Sequence, residues 1–504
     1  MARFPLFDRY RETLNLVASL CQPGEQVWVV GGTLRDHFLG RETHDVDLAV
    51  QGDARALGRK TADRLGGAYV DLDPEHGFGR VILNEEGQRF ILDFAALRGA
   101  DLVADLAGRD FTINAMAAAL NDPDTLIDPL GGLCDLQSRL LRPCAPDSLS
   151  ADPLRILRAV RLAAAFGCRL DEETLRQARE ATPLLPRVSA ERQRDELFRL
   201  FELPRLSAAL EVLESLGALP LVLPEISRLR GVEQGPPHVY DAWGHTLAVV
   251  SHFQDVYAAL VEPFREERVS NLTLGYAVLK LGRFREALRA FYAERLVPER
   301  SLQALITFSA LYHDSGKAET RSVGSDGRVH FYEHDQRAAL LAVERGKALA
   351  LSNAEVERLA GQVRGHMRIH WLAKDVERMD ARLIHRYYRA LGPAGVDVCL
   401  ISLADLLGIT SPAVEQARWQ KEVDLAEQLL AAWFEQQDIL VRPVRLVNGH
   451  DLQEELGLTP GPLLGQLLEF VTEAQVAGEV SDKKGALDWV RAWLERNSQL
   501  PGRG

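Results

Sequence analysis

Two aspartates stand inside an otherwise apolar run near the N-terminus, in the segment Asp45-Val46-Asp47-Leu48-Ala49-Val50. Alternate residues of a β-strand point to the same face, so a strand here places the two carboxylates side by side. Adjacent anions repel each other, and a divalent cation between them removes that repulsion. The segment therefore predicts a strand that carries a metal site, in preference to two aspartates that merely cap turns.

A third carboxylate, Asp93, lies in a second apolar run, Ile91-Leu92-Asp93-Phe94. Three such carboxylates can hold two Mg²⁺ ions, one activating a ribose 3′-hydroxyl and the other bridging a triphosphate. Upstream, Gly31 and Gly32 follow a β-type run and allow backbone amides to approach an anion closely. The N-terminal part of the chain is thus predicted to catalyse phosphoryl transfer.

The hydrophobic pattern changes along the chain. Short β-type runs such as Val27–Val30 alternate with helical stretches such as Ala54–Leu65, whereas apolar residues recur at helical spacing from about Leu154 onward. At 504 residues the chain is too long for one core, and three or four domains are expected. The predicted fold class is α+β, with a small mixed sheet followed by helices.

Charge and composition limit the kinds of binding partner that the sequence predicts. The net charge of −13 argues against a protein that coats nucleic acid indiscriminately, yet every basic residue between Arg139 and Arg205 is arginine, which suits phosphate contacts. The absence of a signal peptide and of a run of about twenty apolar residues predicts a cytoplasmic protein with no membrane partner. No disulfide-linked partner is expected, because no CxxC pair occurs among the scattered cysteines, Cys21, Cys134, Cys144, Cys168 and Cys399.

Five ordered motifs resemble those of the bacterial-type (class II) tRNA nucleotidyltransferases and poly(A) polymerases. They are Gly31-Gly32-x-x-Arg35-Asp36 with Asp45-x-Asp47, Gly108-Arg109-Asp110 to Asn114, Asp128 to Asp135, Asp152-Pro153-Leu154-Arg155 to Arg161, and Arg187 to Glu196. The resemblance implies template-independent addition of nucleotides from CTP or ATP to the 3′ end of tRNA, with Asp45, Asp47 and Asp93 as catalytic residues and Asp45 and Asp47 as metal ligands. Nucleotide-binding roles fall to Gly31, Gly32, Arg35, Arg109, Asp110, Asn114, Asp152, Arg155, Arg158 and Arg161.

The resemblance places the incoming base at Asp152 and Arg155, and the chemistry of that pair agrees. A carboxylate accepts from the exocyclic amino group of cytosine or adenine, while a guanidinium donates to the neighbouring ring nitrogen. Uracil and guanine present the opposite polarity, so the pair would select C and A without a template. The alternative is Asp152 as a helix N-cap with Arg155 on the helix surface.

A second series of ligand-type residues lies in the helical part. Imidazole and carboxylate together suit a transition metal or Mg²⁺, and the series resembles the HD phosphohydrolase superfamily, whose pattern runs H, HD, H, H, D. That resemblance implies a site for Mg²⁺, Mn²⁺, Co²⁺ or Ni²⁺ and a possible hydrolase activity, although the domain could serve only as a scaffold. The implied ligands are His245, His313, Asp314 and Asp405, with His334 and His366 for a second metal.

Boundaries are expected near Gly231 to His238 and after Thr410-Ser411-Pro412. The resemblance then implies a nucleotidyltransferase head over 1–140, a helical neck over 141–230, an HD-type helical body over 231–411 and a helical tRNA-binding tail over 412–504. In the tail, the Pro460-Gly461-Pro462 segment precedes an apolar helix whose free amides suit a phosphate.

Three functional alternatives remain open at this point: a CCA-adding or CC-adding enzyme, a poly(A) polymerase, and a non-catalytic RNA-binding or regulatory protein with a degenerate head. The chain departs from the family pattern at Gly108, where a second arginine is common, and at Ala151, where a glutamate is usual. CCA-adding relatives use a mobile loop to switch from CTP to ATP, and the short segment between Arg98 and Arg109 leaves little room for such a loop. The short segment favours C addition with poor addition of the terminal A.

Overall fold

The structure, a computed structural model, describes residues 10–43, 45–73, 77–85, 88–265, 272–409 and 415–498. Two compact units divide the chain. The first comprises Met1–Glu196 and Ala208–Val222, and the second comprises Leu197–Ser207 and Leu223–Gly504. The expected boundary at Thr410 to Pro412 lies outside the described residues.

A seven-stranded mixed sheet forms the centre of the first unit. Its spatial order is β3-β4-β5-β2-β1-β6-β7, with β2 and β5 parallel and the other neighbours antiparallel. The strands are β1 Gln26–Val30, β2 Asp45–Gln51, β3 Ala68–Asp73, β4 Phe78–Glu85, β5 Gln88–Ala96, β6 Ala117–Ala119 and β7 Asp122–Ile127. A short parallel pair, β8 Leu140–Leu141 and β9 Arg169–Leu170, lies outside this sheet.

Helices alternate with the strands of the first unit and follow them along the chain. Those of the first unit are α1 Arg11–Leu20, α2 Gly32–Phe38, α3 Ala54–Leu65, α4 Leu102–Ala107, α5 Gly132–Gln137, α6 Ser148–Ala151, α7 Leu154–Phe166, α8 Glu172–Ala181 and α11 Leu219–Val222. Between α8 and α11, the helices α9 Ala190–Phe201 and α10 Leu206–Ser215 carry the chain from one unit to the other. Helix α3 begins where Asp53 caps the Ala56 amide and ends at Gly66 in the left-handed conformation, as such helix ends require.

The second unit is helical apart from one hairpin, β10 Arg321–Val323 and β11 Val329–Phe331. Its helices are α12 Pro224–Ser227, α13 Ala242–Leu260, α14 Leu272–Leu281, α15 Arg285–Ala293, α16 Leu302–Tyr312, α17 Lys317–Thr320, α18 His334–Ala348, α19 Asn353–Gly365, α20 Arg368–Asp375, α21 Ala381–Leu391, α22 Ala394–Ile409, α23 Gln416–Glu435, α24 Gly449–Leu456, α25 Pro462–Val476 and α26 Lys483–Ser498. Fifteen of the sixteen residues of α22 are buried, which makes it the central helix of this unit. The predicted α+β class, a mixed sheet followed by helices, is confirmed.

None of the described helices is long and apolar enough to cross a membrane by itself. Helices α21 and α22 would meet those criteria only as a joined pair, and they are bent by 101° where they meet.

Candidate functional site

The strand register brings two of the three predicted catalytic aspartates into line. In the parallel pair β2 and β5, Asp47 lies opposite Asp93, and Asp45 lies opposite Ile91. Asp93 is buried, Asp47 is half-buried and Asp45 is exposed. The exposure of the three carboxylates therefore increases from Asp93 through Asp47 to Asp45.

Arg80 on β4 was not selected from the sequence, yet it contacts this site. It lies opposite Asp93 in the antiparallel register and donates two hydrogen bonds to it, from Nε at 2.7 Å and from a terminal nitrogen at 2.8 Å. These two hydrogen bonds go to Asp93 and not to Asp47. Burial and the neighbouring charges of Asp93 and Asp45, opposed by Arg109 and Arg35, raise the pKa of Asp47 to about 6.

The turn after β1 brings backbone close to these carboxylates. Gly31 has φ +71°, a conformation that L side chains rarely adopt, and helix α2 begins at the next residue. A Cβ at Gly31 would lie 3.0 Å from a terminal nitrogen of Arg109 and 3.3 Å from Asp47 Oδ2. Glycine is needed here because the two functional side chains occupy the space that a side chain would fill.

Hydrogen bonds and ion pairs connect the predicted nucleotide-binding residues. Arg35 donates to Asn114 Oδ1 at 2.6 Å and pairs with Asp36, while its guanidinium stacks 4.2 Å from the ring centre of Phe166. Asn114 donates to Asp110 Oδ1 at 3.1 Å. Asp110 also forms a 2.6 Å ion pair with Arg158, and Arg109 pairs with Asp105 at 3.0 Å. Arg35, Asn114, Asp110 and Arg158 therefore form one polar network, and Arg109 and Asp105 form a separate ion pair.

Asp152 and Arg155, the residues predicted to select the base, contact different partners. Asp152 forms a 2.7 Å ion pair with Arg192. Arg155 donates instead to the Ser148 hydroxyl at 2.6 Å and to the Gly108 and Arg109 carbonyls at 3.0 and 3.2 Å. Further along α7, Arg161 pairs with the buried Glu196 at 2.6 Å. Arg192 lies in the fifth motif but was not assigned a role, because sequence order gives no sign that it reaches Asp152.

The second unit holds two overlapping groups of potential metal ligands. The first is His245, His313 and Asp314, and the second is Asp314, His334 and His366, each with ligand atoms within 4.8 Å of one another. Asp405 Oδ1 lies 3.0 Å from His245 Nε2 and 3.8 Å from His313 Nε2. All six residues of the HD-like series therefore meet, with Asp314 shared by both groups.

The chemistry of this cluster fits a metal. His334 Nε2 and His366 Nε2 are buried and have no hydrogen-bond partner among the described residues, and they lie 3.3 and 3.8 Å from Asp314 Oδ1. Burial and the proximity of His313 lower the pKa of His366 to about 3, which keeps the imidazole neutral and able to bind a metal. Burial disfavours charge on His245, but its hydrogen bonds to Asp314 and Asp405 raise its pKa to about 9.

Two neighbours of Asp314 complete the local structure. Lys317 Nζ pairs with Asp314 Oδ2 at 2.6 Å and donates to Gln234 Oε1 at 2.6 Å. Gly316 has no room for a side chain, since a Cβ there would lie 2.2 Å from the His334 carbonyl oxygen. The close contact between this glycine and the start of α18 brings the two ligand groups together.

In the last part of the chain, helix α25 begins at Pro462 as the Pro-Gly-Pro segment predicts. Among the described residues, no side chain caps its N-terminus.

Comparisons with known proteins agree with the motifs. The chain matches the families described as Poly A polymerase head domain over residues 27–142, Probable RNA and SrmB- binding site of polymerase A over 167–229, and tRNA nucleotidyltransferase domain 2 putative over 411–490. It is 33% identical over 480 residues to the A-adding tRNA nucleotidyltransferase of Deinococcus radiodurans, covering 94% of this chain and 96% of that one. The CC-adding tRNA nucleotidyltransferase of Geobacter sulfurreducens is 32% identical over 477 residues, covering 94% and 93%. A solved CCA-adding enzyme in its apo form I has the same fold, with a TM-score of 0.58, 20% identity and 97% coverage of both chains.

Proposed function

Because this chain belongs to the bacterial-type tRNA nucleotidyltransferases, we propose that its first unit adds nucleotides from CTP or ATP to the 3′ end of tRNA without a template. The observation that carries the proposal is the set of three carboxylates on β2 and β5, where Asp45, Asp47 and Asp93 lie along one stretch of the sheet. Asp45 and Asp47 would hold Mg²⁺, which supplies charge neutralisation for the triphosphate and activates the 3′-hydroxyl. The raised pKa of Asp47 supports this role, because burial and the neighbouring carboxylates disfavour its charged form and a bound cation would stabilise that form.

Other residues of the network would bind and orient the nucleotide. Gly31 lets the guanidinium of Arg109 approach the backbone closely, where it could pair with phosphate oxygens. Asn114 and Asp110 are fixed to each other and to Arg158, so they can present hydrogen-bonding groups to a ribose in a set orientation. Preorganised contacts of this kind lower the cost of positioning the reacting groups.

Base selection is assigned to Asp152 and Arg155. Their present partners, Arg192 for Asp152 and the Gly108 carbonyl for Arg155, are near neighbours that a cytosine or adenine edge would replace. Arg192 would then remain beside the base and limit the space that is left in the pocket. Under this proposal, residues at the start of α7 and on α9 select the base, and no nucleic-acid template is needed.

For the nucleotide added, we propose C. Only residues 97–101 separate β5 from α4, which leaves no long element that could rearrange between two pocket shapes. The relatives at 33% and 32% identity include both an A-adding and a CC-adding enzyme, so identity does not decide the question.

The experiment that tests the first unit is incorporation of labelled CTP or ATP into tRNA transcripts that end before, or within, the CCA sequence. Incorporation that requires Mg²⁺ supports the proposal. A purified, folded protein that binds these transcripts but incorporates neither nucleotide would instead support a non-catalytic RNA-binding role.

A second function is favoured by the cluster in the second unit. We propose that His245, His313, Asp314, His334, His366 and Asp405 hold a divalent metal and that this unit hydrolyses phosphomonoesters or phosphodiesters. The unpartnered Nε2 atoms of His334 and His366 beside Asp314 are the observation that carries it. A metal there would supply an activated water and polarise a phosphate. Hydrolysis of model phosphate esters with Mg²⁺, Mn²⁺, Co²⁺ and Ni²⁺ tests it, and a protein that binds these metals without hydrolysis would leave only the scaffold role.

A further inference from the structure

Asp405, the last residue of the HD-like series, uses both of its carboxylate oxygens. Oδ1 lies 3.0 Å from His245 Nε2, on the side of the metal cluster. Oδ2 accepts a hydrogen bond at 2.9 Å from Nε2 of His370, which lies on α20 outside that series. His370 is 2% exposed. The oxygen that faces away from the cluster is thus held by a buried side chain.

A second buried carboxylate lies behind His370. His370 Nδ1 is 2.8 Å from Oε2 of Glu422 on α23, and Glu422 is completely buried. Arg418, one turn earlier on α23, donates to Glu422 Oε1 at 3.2 Å. A continuous polar series therefore runs from Arg418 through Glu422 and His370 to Asp405.

Burying three ionisable side chains is expensive, and apolar residues of similar volume would fill the same space at less cost. An imidazole between two carboxylates, one of which faces a metal cluster, is the arrangement that fixes the orientation of a metal ligand. It ties Asp405 to two helices, α20 and α23, that carry no residue of the HD-like series.

We propose that His370 and Glu422 are positioning residues that hold Asp405 as a one-oxygen metal ligand. The proposal rests on the metal site proposed above for the second unit. With Oδ2 held by His370, Asp405 can offer only Oδ1 to the cluster, which keeps one coordination position free for water or a phosphate oxygen. Solvent reaches the cluster at His334, whose side chain is 12% exposed, whereas the other five ligands are at most 5% exposed.

The test is Co²⁺ binding, followed by equilibrium dialysis and by the visible absorption spectrum of the bound ion. All proteins carry Asp47→Asn, so that the carboxylates of the first unit contribute less binding. His370→Gln and Glu422→Gln are compared with this background. His385→Gln is the matched control, because His385 is also buried on a helix of this unit and bonds only a backbone carbonyl, that of Leu440 at 3.0 Å, among the described residues.

Loss of the positioning contact is expected to weaken Co²⁺ binding about 10- to 100-fold and to alter the spectrum, since Asp405 can then rotate or bind through both oxygens. His385→Gln should leave both measurements unchanged. Unaltered affinity and spectrum in both test variants, with only a lower melting temperature, would make His370 and Glu422 purely structural and overturn the inference.

Two further outcomes are informative. If His370→Gln does not fold, the nearly isosteric Glu422→Gln decides by the same criteria. If the Asp47→Asn background itself binds no Co²⁺ at this cluster, the proposed metal site fails, and the inference fails with it.

Discussion

Asp47 and Asp93 occupy partner positions on the parallel strands β2 and β5, and Arg80 binds only the second of them with two hydrogen bonds. Arg80 pairs with Asp93, whereas burial and the charges of Asp93 and Asp45 raise the pKa of Asp47 to about 6. The two carboxylates are therefore unequal before any ligand arrives. Asp47 is the one whose charge a metal must stabilise.

Replacement of either Asp45 or Asp47 by alanine should abolish nucleotide addition, by at least about 1,000-fold, because each removes a metal ligand from the reacting centre. Binding of tRNA should change little, since the carboxylates do not grip the RNA. Primer extension and a filter-binding assay measure the two effects separately. Asp122→Ala, at an exposed position on β7 of the same sheet, is the control. Polymerisation retained in either test variant would contradict the metal assignment.

The raised pKa of Asp47 predicts a pH-dependent stability difference in metal-free protein. The folded state binds a proton more tightly than the unfolded state, so Asp47 destabilises the fold as pH rises from about 4 through 6. Asp47→Asn should therefore stabilise the protein by up to about 2–3 kcal/mol above pH 6 and by little at pH 4. Urea unfolding in EDTA at both pH values measures this. A pH-independent gain for Asp47→Asn would refute the prediction.

Loss of the base-selecting pair should change which nucleotides are added. Asp152→Ala and Arg155→Ala are each expected to raise incorporation of UTP or GTP relative to CTP by about 10-fold or more, since one such pair contributes roughly 1–3 kcal/mol of discrimination. Competition between labelled nucleotides in one reaction gives the ratio. Arg176→Ala is the control, because Arg176 pairs with Glu173 and Glu180 on an exposed surface. Unchanged ratios with lower rates would assign Asp152 and Arg155 to structure.

The double variant His313→Ala, Asp314→Ala should lose metal-dependent phosphate ester hydrolysis and keep nucleotide addition. The two reactions are assigned to different compact units, so removing ligands from one leaves the carboxylates of the other intact. Hydrolysis and primer extension are measured on the same preparation, with circular dichroism to verify folding. Equal hydrolysis by the variant and the unaltered protein would place that activity elsewhere.

A tRNA transcript that already ends in CC, offered ATP alone, tests the nucleotide preference. Five residues between β5 and α4 leave little to move, so extension to CCA is expected to be at least about 10-fold slower than addition of C to a transcript lacking CCA. The same transcripts offered CTP provide the reference rate. Efficient extension of the CC end would restore the full CCA-adding assignment.

Local patterns predicted much of this fold. The helix over Ala54–Leu65 has the predicted bounds, and the apolar run around Asp45 and Asp47 is a strand. Both could be predicted because helix caps and the alternation of apolar and polar residues act over only a few residues. Arg80 escaped notice because its contact depends on the register between β4 and β5, which only the assembled sheet fixes. His370 was missed for a similar reason, since its contact with Asp405 joins two helices, α20 and α22, that only the tertiary fold brings together.

Gly316 gives the second unit a property that no list of ligands conveys. Any side chain at this position would collide with the His334 carbonyl oxygen, 2.2 Å from the nearest Cβ. Even alanine would push α18 outwards, taking His334 away from Asp314 while leaving His245 and His313 where they are. One methyl group would thus convert a six-residue cluster into a smaller one with every ligand still present in the sequence. A residue without a side chain is therefore expected to keep His334 beside Asp314 in the cluster.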